Sequence, residues 1–210
     1  MHGRAVPPAG RDLFDEFAAA LAEWGWDVAL LQEVPPWWPE LLGARLHADW
    51  RLVRTSRNAL LPLRRGIAVR WPDLIKSNGG GANAVLSLPE RIVEHRALRL
   101  CRLPERRWLH AVRLESGLWV GNLHLTVHAD LAARREADLA ARTMLAWAKR
   151  SPALLGGDFN VRQLALDGFE HLGGHDVDHV FGRGLHATTA TQTPDRDGLS
   201  DHAPVLVTTS

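Results

Sequence analysis

The stretch PALLGGDFNVRQ, residues 152–163, combines the pattern of a buried strand with polar residues at its end. Residues 152–157 are small or apolar and uncharged, which is typical of a strand buried on both faces. The pattern breaks at Gly156-Gly157, and Asp158 and Asn160 follow. Such residues can form a plain turn. The apolar lead-in indicates instead that a carboxylate and a carboxamide are held at the end of a rigid strand.

Hydrophobic periodicity divides the rest of the chain into strands with interspersed helices. The predicted strands are 27–34, 66–71, 82–88, 91–103 paired with 106–114, 118–125, 177–182 and 203–209. The predicted helices are 11–24, 38–46, 130–149 and about 160–170. Many strands with interspersed helices predict an α/β or α+β sandwich. The pattern leaves the strand order open.

Length and composition place the chain among ordinary globular proteins. With 210 residues, we expect one domain over residues 1–210 and a monomer. The single cysteine, Cys101, excludes an internal disulfide, and no apolar run reaches the length of a membrane span. The N-terminus carries no apolar signal-peptide region, so we expect a cytoplasmic protein without a membrane partner. The net charge of +1 argues mildly against tight nonspecific DNA binding.

Polar side chains recur where predicted strands begin or end, which is where binding and catalytic groups are often held by a rigid scaffold. If these ends converge, they form a cluster of carboxylates, imidazoles and carboxamides. The residues concerned are Glu33, Asn122, His124, Asp158, Asn160, Asp178, Asp201 and His202.

This set of side chains suits metal-assisted chemistry on a phosphate ester. The carboxylates of Glu33 and Asp201 are hard oxygen ligands of the kind that bind Mg²⁺ or Mn²⁺. A histidine beside a carboxylate can take a proton from water, and Asn160 can donate a hydrogen bond to a phosphoryl oxygen. The sequence lacks the HExxH and cysteine clusters of zinc sites, the GxSxG elbow of serine hydrolases and a P-loop.

Each signal taken alone has a structural alternative. Glu33 could be a solvated strand end, His124 a buried core histidine, and Asp201-His202 a turn before a strand. Their order and context together favour a functional site.

Five short motifs, taken in order, resemble one known family. LLQEV, GNLHL, GGDFN, DHVF and LSDHAPV span roughly residues 27 to 207, and they are similar to the motifs of the endonuclease/exonuclease/phosphatase superfamily of DNase I-like enzymes. The resemblance implies a four-layer α/β/β/α sandwich with the site at the top edge of two packed sheets. It also implies a divalent-metal-dependent phosphodiesterase or nuclease.

The resemblance also implies a role for each matching residue. Glu33 and Asp201 match metal-site carboxylates, and His124 matches a histidine that contacts the scissile phosphate or serves as acid. Asp158 matches the aspartate that positions the attacking water, and Asn160 matches the asparagine that orients the phosphate. Asp178 matches the aspartate that orients the final histidine. His202 matches that histidine, which acts as base or stabilises the transition state. Asn122 is expected to support the site.

The sequence departs from the family pattern at its start. Family members begin with a strand that carries a metal-site asparagine near its end, and the residues after Met1, HGRAVPPAGRDLF, correspond instead to the loop after that strand. Two explanations are open: the true start lies upstream of Met1, which we favour, or the chain is shortened and its metal site is damaged.

The substrate is left open by the sequence. The expected partner is a phosphate ester, and nucleic acid is one candidate. The basic stretches 55–65 and 102–107 could contact a phosphate backbone or form a solvated face, and Trp37, Trp38 or Asn83 could lie near the substrate. The alternatives are a small-molecule or lipid phosphatase or phosphodiesterase using the same site, and a non-catalytic binding protein.

Overall fold

The computed structural model describes residues 12–55, 61–70, 81–103 and 105–210, which contain nine strands and four helices. The helices are α1 (Phe14–Glu23), α2 (Trp38–Leu46), α3 (Leu61–Arg70) and α4 (Asp130–Ala148). The strands are β1 (Val28–Val34), β2 (Asp49–Arg54), β3 (Ala82–Ser87), β4 (Ile92–Cys101), β5 (Arg107–Leu114), β6 (Trp119–His124), β7 (Ala153–Asp158), β8 (Glu170–His175) and β9 (Asp178–Arg183).

The strands form two sheets. The smaller sheet has the order β1-β3-β2 with antiparallel pairs, and the larger sheet has the order β4-β5-β6-β7-β9-β8. Within the larger sheet only β6 and β7 are parallel, and α4 connects them. A parallel pair requires such a crossover, because a tight turn can join only antiparallel strands. The crossover brings the C-terminal ends of β6 and β7 to the same edge.

Helices cover the outer faces of both sheets, and the inner faces pack together. Helices α1 and α2 pack on the smaller sheet through an apolar cluster around Phe17 and Trp38. Helix α4 packs on the larger sheet through a stripe of small side chains that includes Ala133, Ala137 and Ala140. A third cluster lies between the sheets. The predicted four-layer α/β/β/α sandwich is therefore confirmed.

A buried hydrogen-bond network joins the two sheets. The Asn122 carboxamide on β6 donates to the carbonyl oxygens of Leu31, at 3.0 Å, and Ala84, at 2.8 Å, and it accepts from Gln32 Nε2 at 2.8 Å. Asn122 is fully buried, so these bonds satisfy polar groups that water cannot reach.

Nearby polar groups in the same interior are not satisfied. Both ring nitrogens of His110 lack a hydrogen-bond partner, and so do both polar atoms of the Asn83 side chain. Burial, with a smaller contribution from the charge of His95, lowers the pKa of His110 to about 3, so its ring is neutral at physiological pH. Because Asn83 is only 1% exposed, it is held between the sheets and is not presented to a substrate.

Three predicted elements are wrong. Residues 66–70 of the predicted strand 66–71 belong to helix α3, and residue 71 lies outside the described residues. A short apolar run does not distinguish a strand from a helix. Residues 160–169 form an irregular loop with bends and one turn instead of a helix, and Glu170 already begins β8. Asn160 starts this loop with a left-handed φ of 53°. Residues 203–209 contribute only two isolated bridges, and Pro204 in this segment cannot donate to a ladder.

The sequence departs from the family pattern at residues 1–11, where the first strand of the family is expected to end. These residues lie outside the described part of the chain. Among the described helices, none combines the length and the apolar character needed to cross a bilayer.

We predict that Asn122→Leu and His110→Leu have different effects on stability. The first change leaves two buried carbonyl oxygens and Gln32 without their partner, and should lower the free energy of unfolding by about 3 kcal/mol. The second change removes an imidazole that is already unpaired, and should lower stability by less than about 1 kcal/mol or raise it. Urea unfolding of both variants measures the difference, and equal losses would contradict this account of the interior.

Candidate active site

Four strands bring polar side chains to one edge of the sandwich. In the larger sheet, His124 at the end of β6 is the register partner of Asp158 at the end of β7. Asp158 is in turn the partner of Asp178 at the start of β9. Glu33 reaches the same edge from the smaller sheet. The register of the larger sheet therefore places His124, Asp158 and Asp178 side by side, and the packing of the two sheets brings Glu33 to them.

His124 lies between two carboxylates. Its Nε2 is 3.4 Å from Asp158 Oδ2, and its Nδ1 is 3.9 Å from Glu33 Oε1. Glu33 has a φ of 52°, in the left-handed region, and the β1–β3 register shifts between Leu31 and Val34. A bulge of this kind redirects a side chain, and here it accompanies the turn of Glu33 toward His124.

The Asp158–Asn160 segment is fixed by its own hydrogen bonds. The Asn160 amide donates to Asp158 Oδ1 at 2.8 Å, and Asn160 Nδ2 donates to the carbonyl oxygen of Leu125 at 3.0 Å. These bonds connect the end of β7 to the segment that follows His124. Asp158 is 1% exposed, while Asn160 is partly exposed. Asn160 is thus placed where its second N–H can reach a ligand.

Asp178 and His202 form the shortest contact in the cluster. His202 Nδ1 donates to Asp178 Oδ2 at 2.7 Å, which leaves Nε2 with the lone pair that a general base needs. Burial by itself lowers the pKa of His202. The hydrogen bond to Asp178 and the negative charges of Asp178, Asp158 and Asp201 outweigh burial, so the pKa is raised above its ordinary value.

The segment that carries Asp201 and His202 has no regular secondary structure and is held by a few bonds. The His202 amide donates to Ser200 Oγ at 3.2 Å, and Arg196 Nη1 donates to the carbonyl oxygen of Asp201 at 2.7 Å. The side chain of Asp201 is half-buried beside His202. The structure therefore places all seven predicted site residues at this edge, and their roles remain predictions.

A buried carboxylate that the sequence analysis did not single out supports the site from α4. Glu136 accepts from the Thr126 amide at 2.9 Å and from Thr126 Oγ1 at 2.6 Å. Thr126 follows Leu125, whose carbonyl oxygen holds Asn160. The signal was present in the sequence, because Glu136 falls within the small-residue stripe of α4 that faces the sheet.

A pair of histidines supports the other side of the Asn160 loop. His179 Nε2 donates to the carbonyl oxygen of Val161 at 2.8 Å, so its Nδ1 accepts from His171 Nε2 at 3.1 Å. Burial, and then the charge of His179, lower the pKa of His171, which favours the neutral ring that this arrangement uses. No sequence pattern identified this pair, because β8 was not predicted as a strand.

The donor atoms at this edge suit a hard divalent cation. Among the described residues, ligand atoms of Asp158, Asp178 and His202 lie within 4.8 Å of one another. The carboxylate of Glu33 contacts the neighbouring His124 ring, with Oε1 3.9 Å from Nδ1. Carboxylate oxygens dominate and no thiolate contributes, which fits Mg²⁺ or Mn²⁺ better than zinc.

We predict that, in protein without added metal, His202 titrates above pH 6.5 and that Asp178→Asn lowers its pKa. A raised pKa means that this interaction stabilises the fold fully below the unfolded-state pKa and is lost as pH rises through the folded-state pKa. Proton NMR of the histidine rings, assigned by comparison with His202→Gln, measures both values. An unchanged pKa in Asp178→Asn would contradict the pairing.

We also predict that Glu136→Ala destabilises the protein by about 2 kcal/mol, because it leaves the buried Thr126 amide and hydroxyl without an acceptor. The near-isosteric Glu136→Gln keeps one acceptor oxygen and should retain most of the stability. Thermal unfolding of the two variants provides the measurement. Equal destabilisation would show that the charge of Glu136 matters more than its hydrogen bonds.

Comparison with known proteins agrees with this geometry. The structure resembles an endonuclease/exonuclease/phosphatase from Bacteroides vulgatus, with 16% identity, a TM-score of 0.68, and coverage of 94% of this chain and 89% of that one. It also resembles a mannosyl-6-phosphatase from Bacteroides thetaiotaomicron, with 17% identity, a TM-score of 0.59, and coverage of 94% and 90%. A third similar structure is TDP2 from Caenorhabditis elegans, with 14% identity, a TM-score of 0.64, and coverage of 91% and 66%.

At these identities the solved structures establish the fold alone. A sequence comparison with curated proteins gives no match. The model of the Endonuclease/Exonuclease/phosphatase family, however, matches residues 5–202, which include every residue of the site. The chain therefore belongs to the endonuclease/exonuclease/phosphatase family, whose members hydrolyse phosphate esters.

Proposed function

We propose that this protein is a divalent-metal-dependent phosphoric ester hydrolase in which His202 activates the attacking water. The observation that carries the proposal is the Asp178–His202 pair, joined at 2.7 Å and located within 4.8 Å of the buried carboxylate of Asp158. This arrangement gives a histidine whose Nε2 is not used by the bond to Asp178, next to a second carboxylate that can hold water.

Each residue of the site has a proposed role in the reaction. Water held by Asp158 gives its proton to His202 Nε2 as its oxygen attacks phosphorus, and Asp178 stabilises the imidazolium that forms. Asn160 donates to a nonbridging oxygen, and His124 holds another or protonates the leaving oxygen. Glu33 and Asp201 are the proposed metal ligands, with Asp158 placed to join them. A divalent cation, when bound, supplies positive charge that polarises the phosphoryl group and stabilises the leaving oxygen.

A small phosphate ester is the second candidate substrate besides nucleic acid. A cleft of about 450 Å³ next to His202 is lined by several carboxylates, including Asp176 and Asp195. Negative charge there disfavours a polynucleotide, which brings further phosphates beside the reacting one. The similarity to a mannosyl-6-phosphatase is consistent with a phosphomonoester of a small molecule.

The non-catalytic alternative receives less support. A binding protein has no physical need for a histidine oriented by a partly buried carboxylate, and no need to keep Asp158 almost wholly buried beside it. Burying charge is costly unless a partner or a function compensates for it.

We predict that Asp158→Ala and His202→Ala each reduce turnover of an aryl phosphate ester by at least about a hundredfold, which is the usual contribution of a positioned acid or base. Chelation by EDTA should abolish the activity, and Mg²⁺ or Mn²⁺ should restore it. Asp195→Asn, in the wall of the cleft, is the matched control and should keep aryl phosphate turnover.

The same assay should include a sugar phosphate, a dinucleotide and single-stranded DNA. Preference for the sugar phosphate would support the small-molecule candidate, and preference for DNA would contradict it. Unchanged activity in both Asp158→Ala and His202→Ala would overturn the catalytic assignment.

A further inference from the structure

A second polar cleft lies at the opposite end of the larger sheet. It is an open depression of about 680 Å³, and its lining comes from β4, β5, the start of β6, the end of α4 and the residues that follow it. Trp119 begins β6, whereas His124 ends it. Five residue-to-residue steps of extended strand separate the two, a distance of roughly 16 Å. A ligand in this cleft is therefore well removed from the candidate active site.

The floor of the cleft is an arginine packed against two indoles. The guanidinium carbon of Arg96 is 5.1 Å from the ring centroid of Trp119 and 5.7 Å from that of Trp147. Trp119 is buried, but Trp147 is only partly buried and borders the cleft. Stacking holds the Arg96 guanidinium in place and leaves an aromatic surface next to it.

Positive charge dominates the lining. Arg96, Arg113, Lys149 and Arg150 are opposed by one carboxylate, that of Glu94, giving four cations against one anion. Glu94 contacts Arg96 at 2.5 Å and Arg113 at 3.1 Å, so it orients both guanidinium groups without neutralising all four cations. These hydrogen bonds from Arg96 and Arg113 lower the pKa of Glu94.

The end of α4 does not oppose an anion here as strongly as a bare helix C-terminus would. Two of its last four carbonyl groups are hydrogen-bonded, because Lys149 N donates to Leu145 O and Ser151 N donates to Ala148 O, and Arg183 donates to Lys149 O just beyond the helix. The partial negative charge of a helix end resides on unsatisfied carbonyls, so these bonds reduce the negative charge that opposes the arginine and lysine side chains.

We propose that this cleft binds an organic polyphosphate that carries a planar ring, such as a nucleoside di- or triphosphate. Arg96 and Arg113, which Glu94 orients, contact the phosphates together with Lys149 and Arg150, and the ring stacks on Trp147. The volume falls within the usual range of small-molecule sites. An arginine guanidinium can donate two parallel hydrogen bonds to the oxygens of a phosphate group. A planar base can stack on an indole ring whatever its identity.

The surroundings favour a small molecule over a nucleic acid strand. A strand needs cations along an extended track, whereas the hairpin that joins β5 and β6 carries the exposed Glu115, with Glu90 packed against it through Ser116 N. The hairpin connects Arg113 on β5 to Trp119 on β6 along the chain, so these carboxylates lie at the same end of the sheet as the cationic cleft. The proposed site is independent of the hydrolytic activity proposed above.

Calorimetric titration with ATP and with pyrophosphate, in EDTA to suppress metal-dependent hydrolysis, tests the proposal. Arg113→Gln should weaken binding of both probes by on the order of tenfold, since a charge-assisted hydrogen bond is lost. Arg142→Gln, on the exposed face of α4, is the matched control and should not change binding. Trp147→Leu should weaken ATP about tenfold and weaken pyrophosphate much less, since base stacking is lost while Trp119 still packs against Arg96.

Glu94→Gln gives a result of opposite sign. The glutamine keeps one oxygen acceptor for the two arginines but removes the opposing negative charge, so binding of both probes should tighten several-fold, and weaker binding would contradict this role of the charge. His202→Ala should leave both affinities unchanged, which separates this cleft from the active site. The proposal is overturned if ATP does not bind at millimolar concentrations, if Arg142→Gln weakens binding as much as Arg113→Gln, or if single-stranded DNA binds more tightly than ATP.

Discussion

The candidate site depends on the buried Asn122 carboxamide that joins the two sheets. Apolar packing between sheets is non-directional, so it leaves their relative position loosely specified. Hydrogen bonds to Leu31 O, Ala84 O and Gln32 are directional, and leaving them unmade inside the protein is costly. Gln32 precedes Glu33, and Asn122 lies two residues before His124. The network therefore fixes the two strand ends that face each other across the site.

The sequence predicted this region well, because the relevant signals were local. Buried strands appear as apolar runs, and the polar residues that end them stand out against those runs. Glu33, His124, Asp158 and Asp178 were identified in this way, and sheet register then brought them together. The four-layer arrangement followed from the family resemblance. Strand order could not be derived from hydrophobic pattern, since it depends on contacts between residues far apart in sequence.

What the sequence did not predict depends on tertiary context. A helix was predicted for about residues 160–170, yet hydrogen bonds from Asn160 and His179 hold the loop before β8 in another conformation. The support of the loop by His171 required knowledge of β8, which was not predicted. Glu136 could have been found, because a carboxylate in a buried helical stripe needs a partner. Its partner Thr126 could not be identified from the sequence, because only the fold brings the two residues together.

The seven site residues are held in two different ways, and this difference bears on His202. Glu33, His124, Asp158 and Asp178 lie at strand ends, and Asn160 is tied to two of those ends, so backbone ladders set their positions. Asp201 and His202 lie in an irregular segment held by Ser200 and Arg196. For the His202 ring, the Asp178 bond therefore provides position as well as electrostatic stabilisation. Loss of that carboxylate removes both at once, so rate and ring orientation should change together.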